Sequence, residues 1–179
     1  MATMLADIAR FLLEILGSIL VALLLLRVWM RYIGMPSRNP VAQFTYAMTN
    51  WLVGPLSRLL PTRGRVDWAS LVAALVVTLL TSVLMRAVVG APILWDIALI
   101  AALRQLAIWG LNVVVWVTII YVVIGWVNPH APFAPALELL LRPLLTPIRR
   151  ILPTVGGFDL SPMVLLIGVY VLQMVVARV

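Results

Sequence analysis

Residues Gly54 to Asp67 read GPLSRLLPTRGRVD, and residues Thr146 to Asp159 read TPIRRILPTVGGFD. The two stretches agree without a gap at seven of fourteen positions: Pro55/Pro147, Arg58/Arg150, Leu60/Leu152, Pro61/Pro153, Thr62/Thr154, Gly64/Gly156 and Asp67/Asp159. Each lies between two long apolar runs, so the repeated unit is an apolar helix, a basic proline-rich connection and a second apolar helix. An internal repeat sets the architecture and is read first. The spacing places repeat one at about residues 5–90 and repeat two at about 97–179, within a single membrane domain covering 1–179.

Composition excludes an ordinary soluble domain. Hydrophobic residues make up 64% of the chain and charged residues 11%, against the roughly 25% charged of a typical globular protein. All thirteen basic residues are Arg, and the formal net charge is +7. Most of these arginines sit in connections between apolar runs, so topology and anionic lipid headgroups explain the charge, and direct nucleic-acid binding is not expected. No cysteine is present, which excludes disulfides, thiolate nucleophiles and iron–sulfur ligation by this chain.

A span needs about 20 mostly apolar residues. Four stretches qualify: Phe11 to Met30, Trp68 to Val89, Gln105 to Val127 and Leu160 to Ala177. Residues 97–104 either extend the third span or lie at the surface. Asp7 and Glu14 flank or interrupt the first run and no small-residue cleavage site follows it, so an uncleaved span is expected there. Glu14 and Arg27, each about a turn from an end, read as headgroup anchors. The expected fold is all-α and integral to the membrane: four transmembrane helices as two parallel two-helix repeats, each with an interfacial amphipathic connection. Two crossings per repeat return the chain to the same side, unlike the inverted repeats of many transporters. Eight arginines fall in the two repeated connections, which the positive-inside rule places in the cytoplasm with both termini outside.

Within the motif, proline at a first helical position is harmless, because its missing N–H would have no intrahelical partner, and Gly54 or Thr146 precedes it as a cap. Pro61 and Pro153 stop the helix by forcing the preceding residue out of helical geometry. A short helix of about two turns is therefore expected from Pro55 and from Pro147. Gly64 and Gly156 supply a turn that needs positive φ. Asp67 and Asp159 stand where they can cap the next span. Upstream, Val41, Phe44, Met48, Leu52, Leu56 and Leu59 form one apolar stripe, and Leu137, Leu140, Leu141, Leu144, Ile148 and Ile151 another, with Pro143 and Pro147 expected to break the second helix.

Two readings of the motif arginines stay open. Arg58 with Asp67, and Arg150 with Asp159, could close each loop as salt bridges. Alternatively the two turns come together as a basic patch for a partner or a lipid phosphate, with Arg58, Arg63, Arg65, Arg142, Arg149 and Arg150 as its candidate residues.

Arg27-Val28-Trp29, Asn39-Pro40, the doubled motif, and Asp159-x-Ser161-Pro162-Met163 together resemble the bacterial YggT family, over nearly the whole chain. The second copy departs from it, with Ala131-Pro132 as a partial echo of Asn39-Pro40 and with Ile124 where an Arg27 equivalent would stand. The resemblance implies a four-span, two-repeat protein of the bacterial inner membrane, related to single-repeat YlmG-type proteins of cyanobacteria and plastids. It also implies links to osmotic or ion homeostasis, cell division and membrane-complex assembly.

Catalysis is the least supported class. One histidine, His130, stands in a connection, and no two carboxylates recur on one span, so an enzyme, a metal site or a bound cofactor is not expected. An ion path would need polar groups at mid-membrane depth, and Thr78, Thr81, Asn112 and Gln173 are few and read better as helix-to-helix contacts. The preferred expectation is a membrane scaffold or assembly factor acting through its basic face, with anionic lipid and another membrane protein or a second copy as partners. A channel or transport-related protein in osmotic stress is the alternative.

Overall fold

The computed structural model describes residues 2–60, 64–92, 94–152 and 159–178. Pro61, Arg63, Pro153 and Gly156 of the motif lie outside them. The described chain forms six helices: α1 (Ala2–Tyr32), α2 (Pro40–Leu59), α3 (Trp68–Val88), α4 (Trp95–Val127), α5 (Ala134–Ile151) and α6 (Ser161–Arg178). Four of them, α1, α3, α4 and α6, are long and apolar enough to cross a membrane, which marks the chain as a multi-pass membrane protein. Residues 97–104 belong to α4, a single helix of 33 residues. At 1.5 Å per residue it is about 50 Å long, well beyond the roughly 30 Å hydrocarbon layer.

Both interposed helices correct the sequence expectation in the same way. Pro55 does not start a short helix but lies inside α2, and Pro143 and Pro147 lie inside an unbroken α5. The start of α2 is set earlier, where Asn39 accepts a hydrogen bond from the Val41 N–H and Pro40 takes the first helical position. An interior proline costs about 3 kcal/mol. In α5 that penalty is opposed by burial of Leu137, Leu140, Leu141 and Leu145, each contributing about 1.5–3 kcal/mol. The stops fall where proline predicts them: Leu60 and Leu152, each preceding a proline, are extended at φ −108° and −101°. Gly64 has φ +92°, the left-handed turn that the motif requires.

The buried face of α2 differs from the expected stripe. Ala42, Thr45, Thr49 and Val53 face inward, whereas Phe44, Met48 and Leu59 are exposed. Small side chains let α2 approach α1 and α3 closely. The threonine hydroxyls are satisfied by their own helix, Thr45 donating to the Val41 carbonyl and Thr49 to that of Thr45. In α5 Leu137, Leu140 and Leu141 of the stripe are buried, Leu144 and Ile148 are half-buried and Ile151 is exposed.

The first half packs α1 against α2 and α3, the second half packs α4 against α5 and α6, and α4 also meets α1 and α3. At Gly17 of α1 an added Cβ would lie 2.7 Å from the Thr81 Oγ1 of α3, so only glycine allows this approach. Gln173 of α6 donates to the Asn112 Oδ1 of α4 at 2.9 Å. One apolar cluster joins the halves, combining Met30, Met35 and Ala42 with Val113, Val117, Leu140 and Leu141; Trp29 packs against it.

Candidate functional site

Both motif aspartates bond the start of the next helix, Asp67 as the N-cap of α3 and Asp159 from one residue before Leu160, whose carbonyl takes the first bonds of α6. Asp67 accepts from the Ser70 N–H at 3.2 Å and Asp159 from the Ser161 N–H at 2.9 Å. Neither is held by the arginine expected. Asp67 pairs with Arg27, whose Nε lies 3.1 Å from Oδ2, and Asp159 pairs with Arg149, whose Nη2 lies 2.7 Å from Oδ2. Arg58 and Arg150 are both exposed, and Asp67 faces inward toward α1.

Arg27 is thus not a headgroup anchor. Its Nη1 donates to Thr49 Oγ1 at 3.0 Å and to Asn50 Oδ1 at 2.7 Å, and its guanidinium carbon sits 4.8 Å from the Tyr46 ring centroid. The pair is well shielded, with side-chain exposures of 13% for Arg27 and 3% for Asp67. One cation therefore ties α1, α2 and the cap of α3 together. The sequence marked Arg27 by its span position as an anchor and through the family resemblance; the missed signal was a lone span arginine with a lone cap carboxylate further on.

In the second half the pair is open, at 35% and 34% exposure. Arg149 also donates to the Tyr121 hydroxyl at 3.2 Å. Burial works against the Asp159 charge and is outweighed by the bonds from Ser161 and Arg149, so its carboxyl titrates below the ordinary value. Burial likewise opposes the charge on Arg149, and the bonds to Asp159 and Tyr121 leave it above its ordinary value.

The remaining candidate arginines converge. A cleft of about 810 Å³ is lined by Arg31, Tyr32, Ile33 and Gly34 at the end of α1, by Arg65, and by Leu139, Arg142, Pro143, Thr146, Pro147 and Arg150 of α5. Of the six arginines singled out from sequence, Arg65, Arg142 and Arg150 meet here, joined by Arg31. Arg58 and Arg149 do not line it, and Arg63 is outside the described residues. No carboxylate is among the described lining residues. The cleft brings the connection of the first half and that of the second to one end of the molecule.

Comparison with known proteins follows the same division. The CCB3/YggT family model matches twice, over residues 6–88 and 100–179. The chain is 36% identical over 171 residues to an uncharacterised protein of Escherichia coli K12, YggT, covering 94% of this chain and 89% of that protein. It is 32% identical over 178 residues to an uncharacterised protein of Pseudomonas aeruginosa, covering 94% and 87%. With a Vibrio alginolyticus protein it shares 30% identity over 162 residues, covering 88% and 87%. No solved structure matches the chain. A doubled match across almost all of the sequence, with relatives aligned nearly end to end, means that this chain belongs to the CCB3/YggT family.

Proposed function

We propose that the protein is a scaffold or assembly factor of the bacterial inner membrane, without catalytic chemistry of its own, acting through the basic face formed by its two connections. In this reading the two halves are parallel repeats, the connections are cytoplasmic and both termini are periplasmic. The observation that carries it is the cleft, where Arg31 and Arg65 of the first half meet Arg142 and Arg150 of the second with no carboxylate in its described lining. A surface of one sign steers and selects partners of the other. The processes it would serve are those implied by the family: osmotic homeostasis, cell division or membrane-complex assembly.

The second reading is an ion pathway. Glu14, Ser18 and Asn112 line a lateral cleft of about 590 Å³ between α1 and α4. It ranks lower because the mid-span polar groups are already engaged. Asn112 accepts from Gln173, and Thr78, Thr81 and Thr118 donate to their own helix carbonyls. Affinity capture of the full chain in mild detergent separates the two readings. A stoichiometric protein partner lost on substitution of Arg142 and Arg150 supports the scaffold; purified protein that conducts ions in liposomes overturns it.

A further inference from the structure

We infer that the arginine cleft holds the headgroup of an anionic phospholipid, its phosphate seated between arginines of the two halves; this rests on reading the basic face as a contact surface. Four arginines line the cleft, and the nearby carboxylates are turned elsewhere. Asp67 is consumed by Arg27, Asp159 by Arg149, and Glu138 of α5 lines a different cleft. Guanidinium groups present planar forks that match phosphate oxygens. The cleft's volume of about 810 Å³ falls in the range of small-molecule sites, roughly 300–1,000 Å³.

The source of the phosphate follows from the apolar surroundings. Tyr32, Ile33, Leu139 and Pro143 supply an apolar wall beside the arginines, suited to glycerol and the first acyl carbons. Leu59 and Ile151 occupy the same motif position in the two halves, and both are turned outward, 79% and 82% exposed. Water offers no reason for a doubled exposed aliphatic at the ends of the interposed helices, whereas the acyl boundary does. The cleft therefore lies at headgroup depth, and Arg65, Arg142 and Arg150 suit a phospholipid with two phosphodiesters better than one with a single phosphate.

The test uses the full chain purified in mild detergent, titrated with cardiolipin, phosphatidylglycerol or phosphatidylcholine and read by native mass spectrometry. Binding should favour cardiolipin, then phosphatidylglycerol, with phosphatidylcholine weakest. The double variant Arg142→Gln/Arg150→Gln should weaken cardiolipin binding by about tenfold or more, equivalent to about 1.4 kcal/mol. Arg58→Gln, which alters an exposed motif arginine outside the cleft, should leave it unchanged. Should the double variant fail to fold, Arg142→Lys/Arg150→Lys keeps the charge and loses the forks, and an intermediate weakening is expected. Equal loss with Arg58→Gln means diffuse surface attraction and overturns the inference, as does unchanged binding in the lysine variant. Full displacement of cardiolipin by inorganic phosphate or pyrophosphate at equal concentration assigns the site to a soluble anion and also overturns it. Capture of a protein partner without selective lipid binding defeats this inference and leaves the scaffold reading standing; lipid binding without a partner does the reverse.

Discussion

Asp67 and Asp159 occupy the same position of a doubled motif and do the same local job, yet they are held by arginines from different elements. Arg27 comes from the first long helix and closes over Asp67 in a shielded cage with Tyr46, Thr49 and Asn50. Arg149 comes from the interposed helix and meets Asp159 in the open. In motif register Ser57 stands where Arg149 stands, and when Trp29 is aligned on Trp126 instead, Ile124 stands in place of Arg27. The cation has moved from span to connection. Each half keeps one arginine for its aspartate, and in each that arginine joins three helices, α1, α2 and α3 in the first and α4, α5 and α6 in the second; what differs is how far the pair is shielded.

The sharpest way to break this contrast is Arg27→Ala. It strands a buried carboxylate, and losing one partner of a buried pair costs about 3–5 kcal/mol. Loss of folded protein in a thermal unfolding assay in mild detergent is expected, and a shift no larger than that of Arg149→Ala would erase the distinction. Adding Ser57→Arg to Arg27→Ala transplants the second half's solution into the first. Recovery of about 1 kcal/mol is expected, the upper worth of an open pair, and no recovery would show that Asp67 cannot be reached from α2. Arg149→Ala itself should cost about 0.2–1 kcal/mol, since Asp159 keeps its bond from the Ser161 N–H. The smallest effect is with acid. Because the Asp159 carboxyl is lowered from 3.8, its contribution is complete above that value and declines as pH falls from there through the lower folded value. The acid limb of stability measured between about pH 5 and pH 2 should flatten in Asp159→Asn, where nothing remains to protonate.

Features governed by neighbours in the chain were legible in advance. Asp67 and Asp159 bond the start of the next helix because a short polar side chain before an apolar run has orphan N–H groups within reach, and Gly64 takes positive φ because the turn demands it, whereas the cap at Asn39 was not read. A helix-to-helix role was legible for Asn112 and Gln173, which bond each other, whereas Thr78 and Thr81, read the same way, donate to their own helix. Arg27 was not, since its carboxylate lies 40 residues away and span position alone suggests the headgroups. The α2 stripe was read as an interfacial face, so which of its residues turn inward was not legible. Apolar periodicity finds the core in water, but beside a bilayer the outside is apolar too, and side-chain size does the sorting: Ala42, Thr45 and Thr49 inward, Phe44 and Met48 outward. Convergence of Arg31, Arg65, Arg142 and Arg150 depended on the continuous α5 that its two prolines argued against.

The distance of 40 residues between Arg27 and Asp67 also has a meaning in time. At about 5–20 residues per second, synthesis leaves roughly 2–8 s in which α1 exists and its counter-charge does not. During that interval Arg27, near the end of its helix, must extend its charge to the headgroups, so the anchoring role suggested by its position describes the nascent chain and the buried clamp the finished one. A ribosome-bound chain carrying Thr49→Cys, which keeps Arg27 and probes a position buried beneath it, should be open to a water-soluble thiol reagent when arrested before Asp67 emerges and protected when arrested after α3. Protection at both lengths would show that this position is sealed before Asp67 arrives.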